Sequence, residues 1–301
     1  MTFWATKCQQ GFRFVRPVGL HAYRPPRPPI DLNEGRESYV AKAGNDKGDV
    51  ETVIQAAASA GAALSDCDVV TFRNNLNKIA GTPLDPMTTW SVDACWKGSK
   101  MYLDIVQLEP QWRGNVADPD KFAYWGYRFE AACTGQQVTD SSSEYCILVR
   151  TRLGGIRILL GAEIDCYDPT GVCGNKQPGL SSYLELKTYK PPQHPKQQLT
   201  LHRNKHPRWW LQSFLAGVPA LALGARDDQG LVHKIDLVKV ADLPRISAAS
   251  GAAWDPQLAL RFGEHCLKWM RSVAAAHAEQ HVRFTYDSSN RVVRYELLAG
   301  S

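Results

Sequence analysis

Two runs rich in strand-forming residues, 158–169 (ILLGAEIDCYDP) and 181–190 (SSYLELKTYK), carry acids where buried strands ordinarily carry none. Side chains alternate faces along a strand, so Glu163 and Asp165 share one face and Ile164 takes the other. Glu185 and Lys187 likewise share a face, opposite Leu184 and Leu186. The apolar flanks, 158–161 and 183–186, suit central rather than edge strands, and charge in a central strand requires compensation. If the two strands are neighbours, three carboxylates and one ammonium meet on a small patch. Carboxylates that close repel unless cations lie among them, which is how a hydrolytic divalent-metal site is built.

The chain has 301 residues, 44% hydrophobic and 22% charged, enough for one large core or two modest ones. No apolar run is long enough to cross a bilayer, and the first residues, MTFWATKCQQGFRF, lack the apolar segment and cleavage site of a secretory signal. The expectation is therefore residence inside the cell, nucleus first and cytoplasm second, with no membrane partner. No block of consecutive Lys or Arg marks a strong import signal. The eight cysteines form no CxxC pair and no His cluster completes a zinc pattern, so buried thiols are expected. A net charge of +5 suits a polyanionic partner but does not separate a nuclease from a basic metabolic enzyme.

Residues 24–36 (RPPRPPIDLNEGR) cannot be helical throughout, and 1–36 is expected as a Pro-rich arm packed on the core; a docking peptide for another protein is the other use of such a segment. Helices are expected over 51–64, in the second part of 68–83 after a strand, over 208–219 and over 257–280. The last places Leu258, Phe262, Cys266, Trp269 and Val273 on one face. A further helix over 120–133 turns Phe122, Trp125, Phe129 and Cys133 inward, with Glu130 on its flank. Strands are expected over 88–96, 99–109, 145–154 and 220–228, and a closing hairpin over 281–297. Segments 170–179 and 191–198 read as loops. With no internal repeat and no long biased linker, the expected fold class is mixed α/β (α+β), one compact domain over 1–301.

An Asp on one strand followed some twenty residues later by Glu-x-Lys on the next is the pattern of metal-dependent nucleases with a D…ExK core. Carboxylates hold hard cations, the metal acidifies a bound water, and the ammonium steadies charge on the attacked phosphate. Glu-x-Lys alone is weak, because solvated edge strands match it too. Glu130 follows a run too apolar for a freely solvated acid, and pairing with Arg128 is its other explanation. Arg73 and Lys78 fit either a site or an ordinary basic helix flank; Gln212 fits a satisfied core amide or a phosphate ligand. Arg203, Lys205, His206 and Arg208 beside Trp209 and Trp210 offer cations and stacking faces of the kind nucleic-acid sites use, although tryptophans there also suit a core.

The segments 69–83 (VVTFRNNLNKIAGTP), 124–130 (YWGYRFE), 147–155 (ILVRTRLGG), 161–166 (GAEIDC), 183–188 (YLELKT) and 209–219 (WWLQSFLAGVP) occur in the order of one family. Together they make the chain resemble the DXO/Rai family of RNA 5′-end decapping and deNADding nucleases. The resemblance implies two mixed β-sheets flanked by helices. It also implies that Glu130, Glu163, Asp165 and Glu185, with the backbone carbonyl of Leu186, bind two divalent cations, Mg²⁺ or Mn²⁺. Glu163 and Asp165 are then catalytic together with Lys187 and Gln212, which contact the scissile phosphate and organise the nucleophilic water, while Arg73 holds a 5′-end phosphate. Pro207 departs from the pattern, because it falls where relatives have continuous helix and forces a helix start near Arg208.

The function so implied is metal-dependent RNA quality control: removal of incomplete caps, 5′ triphosphates and NAD caps, with 5′-to-3′ exonuclease activity left open. The alternative is a stabilising partner of a larger 5′-to-3′ exoribonuclease, weakly catalytic or not catalytic. A generic DNA-cleaving D…ExK nuclease leaves the Arg73 and Gln212 segments unexplained.

Overall fold

Asp49, Asp118 and Asp255 cap helices with their side chains, and the apolar strands between the helices collect into two sheets. The computed structural model describes residues 3–8, 11–13, 19–42, 49–106, 118–142, 144–171 and 176–299. In chain order the elements are β1 Phe3–Cys8, β2 Gly11–Arg13, β3 Ile30–Asp31, α1 Val50–Ser59, β4 Val69–Phe72, α2 Arg73–Gly81, β5 Trp90–Lys97, β6 Lys100–Ile105 and α3 Pro119–Cys133. They continue with β7 Glu144–Leu153, β8 Ile156–Glu163, β9 Cys166–Tyr167, β10 Tyr183–Tyr189, α4 Pro195–Thr200, α5 His206–Ala216 and β11 Ala220–Arg226. The C-terminal part adds β12 Leu231–Lys239, α6 Leu243–Ala249, α7 Pro256–Ala276, β13 His281–Asp287 and β14 Val292–Leu298.

Among the described residues one sheet has nine strands in the order β14-β13-β5-β6-β4-β8-β7-β1-β2, and the other has five, β3-β12-β11-β10-β9. Both are mixed: β4 runs parallel to β6 and β8, and β10 parallel to β11, while the remaining pairs are antiparallel. The largest core joins β4, β8 and β5 to α2, α5, α7 and one face of β10 and β11. A second core lies where Trp125, Phe129 and Cys133 of α3 meet Leu184, Leu186, Ala220 and Ala222 on the other face of the five-stranded sheet. The alternation expected of β10 is therefore realised. Leu184 and Leu186 face α3, and Tyr183, Glu185 and Lys187 turn toward the interior between the sheets.

Most expected elements form, and four expectations change. The acidic runs are not neighbouring strands of one sheet: β8 ends at Glu163 in the nine-stranded sheet, and Cys166 already pairs with Leu184 in the five-stranded one. Residues 164 and 165 are the crossing, and that crossing brings Asp165 to β10.

Pro207 does not start a helix at Arg208. Helix begins at Pro195, within the segment expected as a loop, and passes through a π-helical stretch, Leu201–Lys205, into α5. The widened turn accommodates a residue that has no N–H to give to the preceding turn.

On α7 the buried stripe is Ala259, Gly263, Cys266, Leu267, Met270 and Ala274, while Leu258 and Trp269 are largely exposed. Small residues decide this contact: a Cβ on Gly263 would stand 2.9 Å from the Ala80 Cβ of α2. Finally, β12 and α6 form where no element was expected.

Candidate active site

Glu185 is completely buried, near the middle of a central strand, and both its oxygens are satisfied by cationic or amide donors. Lys187 Nζ donates to Glu185 Oε2 at 2.8 Å, as two residues on one strand face allow, and Gln212 Nε2 donates to the same oxygen at 2.9 Å. Arg73, the first residue of α2, donates to Glu185 Oε1. Asp165 Oδ2 accepts the Leu186 N–H at 2.6 Å and lies 3.7 Å from Lys187 Nζ, so one ammonium borders two carboxylates, one from the crossing between the sheets and one from within β10. An open cleft of about 320 Å³ is walled by Glu130 of α3, Glu163, Asp165, Lys187 and Gln212, with Tyr127 and Gly126 at its α3 side.

The electrostatics divide these acids into two groups. Burial acts to raise Glu185, but Lys187 and Arg73 outweigh it and hold the carboxyl down at about 2. Burial pushes Glu163 up to about 8, helped by Glu144 and Asp165, and pushes Asp165 up to about 6 against the pull of Lys187. Glu130 is raised well above the ordinary range, first by burial and then by Asp165 and Glu163. Lys187 is raised: its carboxylate neighbours Glu185, Asp165 and Glu130 together overcome the cost of burial.

Among the described residues no three His, Cys, Asp or Glu side chains stand ready-arranged as a metal cage. The expectation that only dications neutralise this crowd is therefore revised, because Arg73 and Lys187 already neutralise Glu185. Glu130, Glu163 and Asp165 nevertheless form a set of hard oxygen donors kept near protonation by burial and mutual repulsion, a condition that a hard cation relieves. These three, joined by Glu185 on release of one of its internal cations, are the side chains that would hold such an ion. Bound there, a divalent cation supplies Lewis acidity and lowers the pKa of a water.

Of the side chains that the resemblance assigns to the site, Glu130, Glu163, Asp165, Lys187 and Gln212 line this cleft, and Glu185 and Arg73 join it through the Glu185 bonds to Lys187, Gln212 and Arg73, whereas Lys78 and Arg208 line a separate cavity. For Leu186 the engaged group is the amide, held by Asp165. Pairing of Glu130 with Arg128 does not occur, since Arg128 bonds Glu34 at 3.0 Å. Trp209 and Trp210 are buried, as the core explanation requires, and His206 is buried with them. Two residues of the site were missed. Tyr127 lies one turn before Glu130 on α3, an i, i+3 relation visible in the sequence, and burial followed by Glu163 pushes its phenol up to about 12. Glu144, which presses on Glu163 from behind and pairs with Lys42, opens strand β7 just outside the expected run.

A model of the RAI1-like PD-(D/E)XK nuclease family matches residues 1–301. The chain belongs to that family. It is 27% identical over 300 residues to the decapping nuclease RAI1 of Aspergillus fumigatus, covering 90% of this chain and 80% of the relative. Over 216 residues it is 30% identical to the human decapping and exoribonuclease protein, covering 68% of this chain and 54% of that one. The crystal structure of S. pombe Rai1 superposes with a TM-score of 0.82 at 23% identity, covering 98% of this chain and 92% of that one. Candida albicans Rai1 in complex with pU5-Mn²⁺ also gives 0.82, at 19% identity with 99% and 89% covered. The two mixed sheets flanked by helices are thus the fold of the RAI1-like nucleases, and the chain is a phosphodiester hydrolase.

Proposed function

We propose that this chain hydrolyses the phosphodiester between the first nucleotides of RNA with an incomplete 5′ end, an unmethylated cap, a triphosphate or NAD, so that the terminal group leaves whole. The observation that carries this reading is the meeting of Glu163, Asp165, Glu185, Lys187, Gln212 and Arg73 in one place. Lys187, bordering both Asp165 and Glu185, is placed to steady charge developing on the attacked phosphate, and Gln212 to orient the attacking water. Arg73 takes the 5′-end phosphate. Glu130, Glu163, Asp165 and Glu185, with the Leu186 carbonyl, hold two divalent cations, Mg²⁺ or Mn²⁺. Support from relatives is consistent: curated ones are named decapping nucleases, and a Scheffersomyces stipitis Rai1 crystal contains (3′-NADP)⁺ and calcium.

The test is incubation with capped, NAD-capped, triphosphorylated and monophosphorylated RNA, in Mg²⁺, Mn²⁺ or chelator, beside a Glu163→Ala/Asp165→Ala variant. Release of an intact cap or dinucleotide, lost with chelator and in the variant, is expected; no product from any 5′ end overturns the reading.

A stabilising partnership with a larger 5′-to-3′ exoribonuclease is the second reading. It draws on the groove of about 690 Å³ beside α5, where Phe214 and Leu237 are exposed. An exoribonuclease half-life lengthened equally by wild type and Lys187→Ala protein would identify that role.

A further inference from the structure

Strand β14 closes one end of the nine-stranded sheet, and among the described residues its outer backbone edge has no neighbouring strand. The other terminal strands, β2, β3 and β9, have two or three residues each, whereas β14 has seven. Its pairing with β13 keeps one register from His281 opposite Leu298 to Asp287 opposite Val292, with no bulge to twist the edge aside. It contains neither proline nor lysine. A long, regular edge of this kind is a template for another strand.

The two faces of β14 differ. Val293, Tyr295 and Leu297 share the side of Val282, Phe284 and Tyr286, the buried side that meets α7. Tyr295 sets its ring 6.2 Å from Trp269 of α7 and 6.3 Å from Phe284, yet Tyr295, Leu297 and Trp269 stay largely exposed. The apolar layer under α7 thus runs out to the edge of the sheet and ends there in water. Val292, Arg294, Glu296 and Leu298 take the opposite side, where Arg294 meets Asp287 at 3.7 Å.

The order of residues along β14 selects its own complement. Two copies laid antiparallel about a two-fold axis perpendicular to the sheet keep like faces together only when the axis passes through a residue position, because an axis between residues sets each face against the other. An axis at 294 opposes Arg294 to Arg294, and one at 296 opposes Glu296 to Glu296. An axis at Tyr295 opposes Arg294 to Glu296 twice, Val292 to Leu298 twice and Val293 to Leu297 twice, and brings the two Tyr295 rings together beside the exposed Trp269 side chains. All seven residues then pair, charge with opposite charge and apolar with apolar.

We propose that β14 is the contact between two copies of this chain, joined antiparallel about Tyr295 into one continuous sheet. Glu163 ends β8, five strand positions from β14 and about 24 Å away at the usual spacing, so each copy keeps its own open cleft.

Sedimentation velocity and amide hydrogen exchange on the full chain test the contact. Wild type is expected to pass from the 33.5 kDa monomer to twice that mass as its concentration rises to about 100 µM, with exchange over 292–298 slowing in parallel. Arg294→Glu sets an acid against Glu296, and Glu296→Arg sets a base against Arg294, so each variant alone should dissociate with a constant about tenfold higher. Both side chains are exposed, and unchanged circular dichroism verifies the fold. Mixed in equal amounts, the two variants should pair with each other about as tightly as wild type, because every charge again faces its opposite. Wild type that stays monomeric, with exchange over 292–298 independent of concentration, overturns the proposal and leaves the edge to a strand of a different chain. Dimers that neither variant weakens, or a mixture that restores nothing, overturn it too. If a variant does not fold, the wild-type exchange series decides alone.

Discussion

Arg73 and Glu185, 112 residues apart in sequence, form an ion pair with both side chains almost wholly shielded from water. It ties the start of α2 to β10 and gives the central strand's acid the cation that its burial demands. Arg73→Ala strips Glu185 Oε1 of its donor while Lys187 still neutralises the acid, so it is expected to cost about 1–3 kcal/mol in urea unfolding, the range for a buried acceptor left without its partner.

Lys187 has a different balance, since Arg73 and Gln212 continue to serve Glu185 without it. Lys187→Ala should keep the wild-type circular dichroism and a cooperative transition, while kcat drops by about two or more orders of magnitude, the scale of a lost electrostatic contact to the transition state.

Metal binding should be readable without any substrate. Glu130, Glu163 and Asp165 are pushed toward protonation by burial and by one another, so a dication that relieves them favours the folded chain. Melting temperature is expected to climb with Mn²⁺ or Mg²⁺ concentration, return with chelator, and stay flat in Glu163→Ala/Asp165→Ala.

Gly224 on β11 shows how packing sets the position of α3. A Cβ there would lie 2.6 Å from Phe129 Cε2, and Phe129 is the residue before Glu130. Gly224→Ala should destabilise the fold by about 1–3 kcal/mol, the usual cost of overpacking, and lower activity by displacing Glu130. Chemical denaturation and initial rates check the two effects separately.

Acid should weaken the fold through His206, which is buried with His202 Nδ1 at 3.1 Å and Ser247 Oγ at 3.0 Å from its Nδ1. Burial, and then His202, lowers it from 6.5 to about 4. The unfolded chain therefore binds the extra proton between those values. Stability is full above pH 6.5 and falls as the pH drops toward 4, by up to about 3 kcal/mol. Comparing melting temperatures of wild type and His206→Gln across this window isolates the contribution, since the acids of the cleft titrate alike in both.

The chemistry of the site was legible in short motifs because residue types alone report it: Glu185 and Lys187 two apart on a strand, and Glu130 closing an apolar helical run. Face assignments held where large side chains do the packing, as on β10. They slipped on α7, where Gly263 and Ala259 make the contact and periodicity counted over large residues points to Leu258 and Trp269. Tyr127 carried a helical-spacing signal that passed unused, and Lys78 was legible only as a basic residue on a helix, its place on a separate cavity being invisible.

The amino-acid order by itself determined strand alternation, helix caps and the acids and amides available for catalysis, since these depend on neighbours a few residues away. Which of them meet was decided by the tertiary structure. Residues 164 and 165 leave one sheet for the other, and α2 and β10 meet only after the several strands and the helix between them in sequence have folded, so the Asp165–Leu186 bond and the Arg73–Glu185 pair exist only once both layers have closed on a shared core. Desolvation follows the same logic: a carboxyl becomes strongly basic or strongly acidic according to what else is buried beside it, which no local stretch of sequence specifies.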